Sequence, residues 1–461
     1  MDSAVYGHLW GTPELRDMFC DTGRTQSWLD ILAALAGAQA EIGVIPEAAA
    51  VEIAEKARVE LVDLQEVAAR TRQTGHSTLG LIQVLRALLG PGSGEWVYYG
   101  ATVQDVTDTW TGLVMQRVTS VMVRDLRRIE AGLLGLASEH RDTIMVGRTH
   151  GQPGLPITFG FKAAVWVAEV RRHVDRWLGC AGRLAVGQLA GAVGTASFWG
   201  ERGLELQERF CQRLGLAVPD MTWLTARDRI AEFVWLLAVS AGTVAKIGRE
   251  VYNLARLEIG ELAEGFRHGQ VGSITMPHKR NPELSEHLGT LARVVRSAAG
   301  LALEGMVHDH ERDGAAWKAE WAFLPEACMA AGAAVALGAE LVAGLQVDTA
   351  CMARNLAQQS GYVLSEPVLA CLAPRLGKHT AQEVVYEAAM AGIDRASSFR
   401  DALMADPRVT AVLSEDELDG LLDPAKALGQ CGPLVDRVLA ANGQDSARMR
   451  AESWPLGGSG A

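Results

Sequence analysis

Long, uninterrupted helical periodicity is the feature of this sequence that most restricts its fold. Between about residues 106 and 356, apolar residues recur at helical spacing and helix-breaking residues are rare. In one stretch, Phe159, Ala163 and Val167 share a face, while Lys162 and Glu169 lie on the other. The helical stretches are 106–139, 157–182, 227–264, 283–306 and 320–345. All exceed the mean globular helix of about 11 to 12 residues, which predicts an elongated helical bundle.

The regions on either side of these stretches contain shorter helical patterns. An apolar stripe runs from Trp28 to Ile42, and a Gly/Pro-rich break at Gly90–Gly94 comes before the long segments. The patterns shorten again after about residue 360, and the end of the chain contains the low-complexity run GGSG. The sequence therefore predicts an all-α chain with three domains and a tail, at residues 1–105, 106–356, 357–445 and 446–461.

Charge and cysteine content restrict the partners and the compartment. The formal net charge is −12 and no Lys/Arg-rich stretch is present, so nucleic acid is not an expected partner. The seven cysteines form no CxxC pair, which argues against a disulfide framework or a thiolate zinc site. No signal peptide is visible, because no basic region followed by an apolar core opens the sequence. We therefore expect a cytoplasmic protein.

Two uncharged apolar stretches, Phe233–Ala245 and Ala327–Ala339, are the longest in the sequence. Each is shorter than the roughly 18 residues that a membrane span needs. They predict helices that are buried on every side in a multi-helix core, and no membrane partner.

The segment GFRHGQVGSITMPHKRN, residues 265–281, predicts a functional loop. Its glycines and Pro277 interrupt the helical pattern, and Asn281-Pro282 is typical of an N-cap and a first-turn proline. The loop would thus place Ser273 and Lys279 beside a helix N-terminus, where N–H groups and the helix dipole favour an anion. A serine held near a lysine under a closing loop can act as a base. A flexible connector is the alternative for a lone Ser/Lys pair.

Two further blocks contain groups suited to binding an anion or moving a proton. GATVQDVTD, residues 100–108, indicates on its own a Thr or Asp that opens a helix. GRTHGQP, residues 147–153, contains His150, although a lone histidine is more often structural than catalytic. A second histidine, His76, lies in TGHS at residues 74–77.

Together these motifs resemble those of the fumarase/aspartase superfamily. GSITMPHKRN is similar to the loop signature G-S-S-x-M-P-x-K-x-N, and GATVQD is similar to G-A-T-S-x-D. RTHGQP resembles the R-T-H-x-Q-P block of adenylosuccinate lyases. The resemblance implies homotetramers of helical three-domain subunits that cleave C–N or C–O bonds and usually release fumarate. It implies no cofactor.

The resemblance also implies a role for each motif residue. Ser273 would be the catalytic base, His150 the general acid or the holder of the leaving group, and His76 a second active-site histidine. The implied substrate-binding residues are Thr102, Gln104, Thr149, Lys279, Asn281, Arg227 and Arg312. Ile274 and Val103 stand where the family patterns have serine.

Two other patterns predict no metal or dinucleotide site. His308-Asp309-His310-Glu311 lies in a stretch that we predict to be helical, where residues two apart point to different faces. The glycines of Gly187–Gly203 lack a preceding strand and the GxGxxG spacing, and they predict turns and helix packing.

Three tryptophans bear on the substrate. Compared with adenylosuccinate lyases, polar groups for the nucleotide are replaced by Trp317 and Trp321, and Trp223 precedes Arg227 where a glutamine is usual. A nucleotide phosphate would lose charge-assisted bonds of about 1.5–3 kcal/mol each. The tryptophans resemble carboxymuconate cycloisomerases, but those of bacteria typically lack the equivalent of His150.

The favoured reaction is therefore elimination of a C2 substituent from a small substituted succinate. Nitrosuccinate, yielding fumarate and nitrite, is the preferred substrate, which makes the enzyme a carbon–nitrogen lyase. The alternatives are cycloisomerisation of carboxymuconate, cleavage of adenylosuccinate, and a catalytically silent structural protein of the crystallin kind.

Overall fold

The structure is a computed structural model that describes residues 3–266, 269 and 271–451, with side chains to residue 441. The α-helices are α1 (Pro13–Phe19), α2 (Asp21–Glu41), α3 (Glu47–Lys56), α4 (Leu64–Thr74), α5 (Leu79–Ala87), α6 (Val103–Glu139), α7 (Phe159–Leu184), α8 (Gly203–Leu214), α9 (Asp228–Leu254), α10 (Glu283–Glu304), α11 (Gly314–Gly344), α12 (Thr349–Ala357), α13 (Ser365–Leu376), α14 (Lys378–Asp394), α15 (Phe399–Met404), α16 (Pro407–Thr410), α17 (Glu415–Leu421) and α18 (Cys431–Ala451). The strands are β1 (Ile144–Thr149), β2 (Gln152–Thr158), β3 (Leu262–Ala263) and β4 (Gln346–Val347). The fold is all-α apart from these short strand pairs, as predicted.

The long predicted helices are present, with changes at their ends. α9 ends at Leu254 instead of residue 264, and the chain then turns back through Gly260, whose φ of 64° lies in the left-handed region. The N–H of Glu261 then donates to the carbonyl of Leu254 at 2.9 Å. α11 begins at Gly314 instead of residue 320, because the Asp313 carboxylate caps it by accepting from the Ala315 N–H at 2.8 Å.

The five long helices α6, α7, α9, α10 and α11 form one bundle. α6 packs on α7 and α11, and α9 packs on α7, α10 and α11. The buried face of α6 repeats at helical spacing through fully buried Met122, Leu126, Ile129 and Leu133. Each such side chain stabilises the fold by roughly 1.5–3 kcal/mol through burial. Burial of this face holds the start of α6 in place.

The buried apolar residues that the structure describes form two large hydrophobic cores and one small cluster. One core runs from Leu15 to Met352 and joins the N-terminal helices to the bundle. A second lies within Val368–Leu418, whereas Val435 of α18 packs beside Ala137, Ala163 and Ala164 of the bundle. The predicted boundaries at 105/106 and 445/446 fall inside α6 and α18. The three-domain division remains a prediction.

An antiparallel hairpin, β1–β2, was not predicted from the sequence. Thr149 pairs with Gln152, and the two residues between them, His150 and Gly151, have φ of 51° and 74°. Positive φ at both central positions is the geometry of the type I′ turn, which suits the twist of a two-residue hairpin. The glycines and prolines of this segment are typical of a loop. Its two strands can therefore be recognised only from their pairing with each other.

Two bundle helices, α9 and α11, have the length and apolarity of a membrane span. In each, 67% of the most apolar window is buried inside the fold, as in core helices. Within one chain, the α9 segment is not buried on every side as predicted, because Trp235 is 43% exposed.

Candidate active site

The start of α6 brings together two of the predicted substrate-binding residues. Both terminal nitrogens of Arg312 donate to the Thr102 hydroxyl at 3.2 Å, and one also donates to the Ala192 carbonyl at 2.9 Å. The Asp105 carboxylate lies beneath them and accepts from the N–H groups of Thr102, Ala190 and Gly191 at 2.9, 2.9 and 3.1 Å. Burial raises the pKa of Asp105 to about 6. Thr102 and Arg312 are half-buried donors that a carboxylate can approach.

Thr78 and Tyr98 link His76 to the Thr102–Arg312 pair. The His76 Nδ1 accepts from the backbone N–H of Leu79 at 3.2 Å and of Thr78 at 3.4 Å, so the imidazole lies at the start of α5. The phenol of Tyr98 is near Thr78, Asp105 and Arg312, and burial raises its pKa. Since Nδ1 is an acceptor, the proton of a neutral His76 is on Nε2.

Gln104 and Arg227 belong to a buried network instead of an open site. Arg227 donates to Asp108 at 2.8 and 3.1 Å and to Glu320 at 2.8 and 2.5 Å. Its side chain is 1% exposed. The Gln104 amide donates to Asp108 at 2.9 Å and to the Leu224 carbonyl at 2.7 Å, and Gln104 is 0% exposed. The predicted role of both as substrate ligands does not fit this geometry, because their donors are already bonded within the chain.

The part of the Ser273 loop that the structure describes before α10, residues 271–282, is largely exposed. The Ser273 hydroxyl accepts from the Met276 N–H at 3.1 Å, Lys279 is exposed, and the Asn281 amide donates to Glu283 at 3.1 Å. A Cβ at Gly272 would lie 2.5 Å from the Lys279 carbonyl oxygen, so glycine is required where the loop folds back. The loop therefore holds its three predicted site residues on one short segment.

The predicted helix start after this loop is one residue too early. α10 begins at Glu283 with Pro282 as the N-cap, instead of Asn281 as N-cap. The N–H groups expected to face an anion are also occupied, since the Glu264 carboxylate accepts from Leu284 at 3.1 Å and from Ser285 at 2.7 Å. In this structure Glu264 is the anion at the helix N-terminus.

Thr149 and His150 are exposed at the tip of the β1–β2 hairpin. The preceding residue, Arg148, forms a bidentate ion pair with the buried Glu261, in which its two terminal nitrogens donate to the two carboxylate oxygens at 2.9 and 2.7 Å. Among the described residues, no hydrogen bond or ion pair joins His150 or Ser273 to Thr102 or Arg312. A single chain thus presents three separate clusters of predicted site residues.

Sequence reasoning missed the acidic residues around the start of α6. Asp105 and Asp108 are buried at the start of α6, and the available sequence signal was their place in the GATVQDVTD block. Glu320, on α11, had no local signal. His308 was considered only as part of a metal pattern; both of its ring nitrogens are buried with no hydrogen-bond partner among the described residues, and burial lowers its pKa.

The other predicted patterns differ in their surroundings. Residues 307–313 are a loop instead of a helix, and the described residues contain no group of three or more metal-ligating side chains. Trp223 is 0% exposed and its indole N–H donates to the Gly187 carbonyl at 2.8 Å, so it faces the core. Trp317 and Trp321 pack edge to face with ring centroids 4.9 Å apart.

Comparison with known proteins identifies the family. Residues 10–297 match the family described as Lyase, and residues 361–438 match the one described as Adenylosuccinate lyase C-terminus. The chain is 39% identical over 439 residues to N-acetyl-S-(2-succino)cysteine lyase of Dickeya dadantii, covering 95% of this chain and 96% of the relative. It is 38% identical to adenylosuccinate lyase of Methanothermobacter thermautotrophicus, covering 93% and 96%.

A solved structure agrees with these relatives. The 3-carboxy-cis,cis-muconate lactonizing enzyme of Pseudomonas putida superimposes with a TM-score of 0.90 at 33% identity, over 96% of this chain and all of that one. The chain therefore belongs to the fumarase/aspartase superfamily of lyases, in the branch that contains adenylosuccinate lyase and carboxymuconate cycloisomerase.

Proposed function

We propose that the protein forms fumarate by eliminating the C2 substituent of a small 2-substituted succinate, with a thiolate as the leaving group. The observation on which this depends is that Thr149 and His150 are exposed at the hairpin tip and Lys279 is exposed on a loop, with Ser273 half-buried on the same loop as Lys279. These side chains are not committed to the core, unlike Gln104 and Arg227. The similarity to a succinocysteine lyase supports the choice of leaving group.

The proposed reaction is a β-elimination. Ser273, as its alkoxide, takes the proton from C3 of the succinate, and negative charge develops on the adjacent carboxylate. Lys279 and Asn281 bind that carboxylate and stabilise the charge as it forms. The electron pair left at C3 then forms the C2=C3 double bond of fumarate as the C2–S bond breaks, and the C2–S pair leaves with sulfur as a thiolate, which His150 orients or protonates. Thr102 and Arg312 are proposed to hold the second carboxylate.

We propose that the three clusters meet only between chains of a homotetramer. The outward faces of the bundle helices expose apolar side chains that one chain leaves uncovered, namely Val165 at 49%, Leu178 at 41% and Trp235 at 43%. A second bundle packed on these faces would bury them. The Thr102, His150 and Ser273 clusters of three different chains would then form each site.

Nitrosuccinate, the substrate favoured from the sequence, is the second candidate. The Trp317–Trp321 pair supports a small substrate, because these two packed indoles stand where adenylosuccinate lyases carry polar groups for the nucleotide. Trp223 no longer supports it, since that ring is enclosed in the core. Nitrite, like a thiolate, leaves as a stable anion.

The test is a parallel assay with four substrates. Purified protein is incubated with N-acetyl-S-(2-succino)cysteine, nitrosuccinate, adenylosuccinate and 3-carboxymuconate, and fumarate, thiol, nitrite, AMP and lactone are measured. We expect equal amounts of fumarate and thiol from the first substrate, with kcat/KM at least about tenfold above the others. Nitrite with fumarate would favour the second candidate, whereas lactone alone or AMP would overturn the proposal.

A further inference from the structure

We propose that Glu261 is a positioning residue for the reaction, acting through Arg148 to fix the turn that presents Thr149 and His150. The inference rests on the proposed function, because it assigns His150 to the reacting site. Neither Glu261 nor Arg148 was among the residues predicted from the motifs to touch substrate.

The geometry of the Glu261 carboxylate is that of a fixed anchor. It is 0% exposed, and both oxygens accept from Arg148, at 2.9 and 2.7 Å. The Asn355 amide donates a further bond to the same carboxylate at 2.8 Å. A carboxylate held by two parallel guanidinium bonds and an amide has one orientation, and it orients the guanidinium in turn.

The Glu261 backbone is fixed as well. Its N–H donates to the Leu254 carbonyl at 2.9 Å, and its carbonyl accepts from the Asp348 N–H at 3.0 Å. The anchor is therefore part of the bundle, through the end of α9 and the β3–β4 pair, and does not move with the hairpin.

The hairpin needs such an anchor because its tip has few other constraints. Thr149 and His150 are exposed, and the turn places the non-glycine His150 at φ 51°. Arg148 is the residue directly before Thr149 and is half-buried. Fixing its side chain against Glu261 sets the direction in which the turn leaves the bundle.

The same segment also reaches the Ser273 loop. Glu264, three residues after Glu261, accepts from the N–H groups of Leu284 and Ser285 and so ties the beginning of the loop to its end. Residues 261–264 thus connect the bundle to both exposed site segments of one chain, the hairpin tip and the described part of the Ser273 loop.

The test compares Glu261→Gln, Arg148→Lys and the double variant Arg148→Gln/Glu261→Gln with the wild type. We expect Glu261→Gln to lower kcat about 10- to 100-fold with KM changed less than about threefold, because misplacement by about 1 Å disturbs the reacting geometry. Arg148→Lys keeps the charge but loses one bond, so it should retain intermediate activity. The double variant should be no slower than Glu261→Gln, because the two residues act as one unit.

The matched control is Glu130→Gln, which breaks a similarly buried pair with Arg171, at 2.6 Å between α6 and α7. This control should lower the thermal midpoint but leave kcat within about twofold of the wild type. An unchanged kcat in Glu261→Gln, or equal kcat losses in Glu261→Gln and Glu130→Gln, would overturn the proposal.

Hydrogen–deuterium exchange separates this inference from the proposed function. If the wild type converts none of the four substrates, the proposed function fails, but exchange still reports on the hairpin. Faster exchange in residues 144–158 of Glu261→Gln, absent from Glu130→Gln, would support the positioning role. Unchanged exchange in that hairpin would overturn it.

Discussion

At the scale of single residues, Ser273 is the position where a loss of activity is most easily distinguished from a loss of stability. Its hydroxyl accepts one hydrogen bond, from Met276, and the side chain is half-buried in a loop. Ser273→Ala should therefore lower kcat by at least about 10²-fold, as for loss of a general base, with an unchanged thermal midpoint. Steady-state kinetics and thermal unfolding check both parts, with Thr275→Ala in the same loop as the control. Near-wild-type turnover of Ser273→Ala would remove Ser273 as the base.

Arg227 is the residue for which the motif and the structure disagree. Its guanidinium lies between Asp108 and Glu320 with its side chain 1% exposed. Arg227→Met would leave two buried carboxylates without a cation, which should cost about 3–5 kcal/mol of unfolding free energy. Denaturant unfolding measures this loss directly.

The exposed pair of Arg183 with Glu232 provides the control for that measurement. Arg183 is 55% exposed, so Arg183→Met should change the free energy of unfolding by less than about 1 kcal/mol. If Arg227→Met instead kept its stability and raised KM at least about tenfold, the substrate-binding prediction for Arg227 would be right.

At the scale of elements, the packing of α7 on α9 includes a buried imidazole. The His173 ring bonds to the Thr243 hydroxyl at 2.7 Å and accepts from Arg176 at 3.2 Å, and Thr243 in turn donates to Glu169 at 2.6 Å. Burial and the charge of Arg176 lower the pKa of His173 to about 4. Glu169 favours the protonated ring, whereas Arg172 and Lys246 oppose it.

This pKa predicts a loss of stability in mild acid. The unfolded chain binds a proton to His173 below about pH 6.5, whereas the folded chain does so only near pH 4, so stability is complete above pH 6.5 and falls as pH decreases. The decrease amounts to at most about 3 kcal/mol. Thermal midpoints at pH 7.5 and 4.5 should differ less in His173→Gln than in the wild type.

His379→Gln is the control for this pH effect, because His379 is exposed on α14 and lies outside the α7–α9 packing. It should show the same decrease of the midpoint with pH as the wild type. An equal decrease in His173→Gln would show that other groups cause the acid sensitivity.

At the scale of the whole molecule, the separation of the site clusters in one chain leads to a complementation experiment. His150→Asn and Ser273→Ala proteins are unfolded together, refolded as a mixture and assayed. If each site takes these two residues from different chains, about a quarter of the sites in a random mixture contain both native side chains. Activity should approach that fraction, while each variant refolded alone stays inactive.

Two results would contradict this assembly. The first is a monomer in light scattering at assay concentration. The second is an inactive mixture in which subunit exchange has been verified by mass spectrometry of differently tagged chains. Either would require His150 and Ser273 to act within one chain or not at all.

The sequence alone determined the helices and the reactive motifs. The apolar repeat in α6, α7, α10 and α11 is local information, and the GSITMPHKRN and RTHGQP blocks identified the superfamily that the comparisons confirmed. Helix ends were less accurate, as at α9, which ends at Leu254 where the returning chain brings the Glu261 N–H to the Leu254 carbonyl. The β1–β2 hairpin was missed because strand pairing is a contact between segments.

The tertiary structure was needed to show which polar side chains of the motifs are already hydrogen-bonded within the chain. Gln104 and Arg227 have side chains that could bind a substrate. The partners that occupy Arg227 are distant in sequence, since Asp108 lies 119 residues and Glu320 lies 93 residues from it. Likewise, Glu264 occupies the α10 N-terminus from 20 residues away. Whether a charged side chain binds substrate or an internal partner depends on which residues the fold places opposite it. Those residues are distant in sequence, so the local sequence does not identify them.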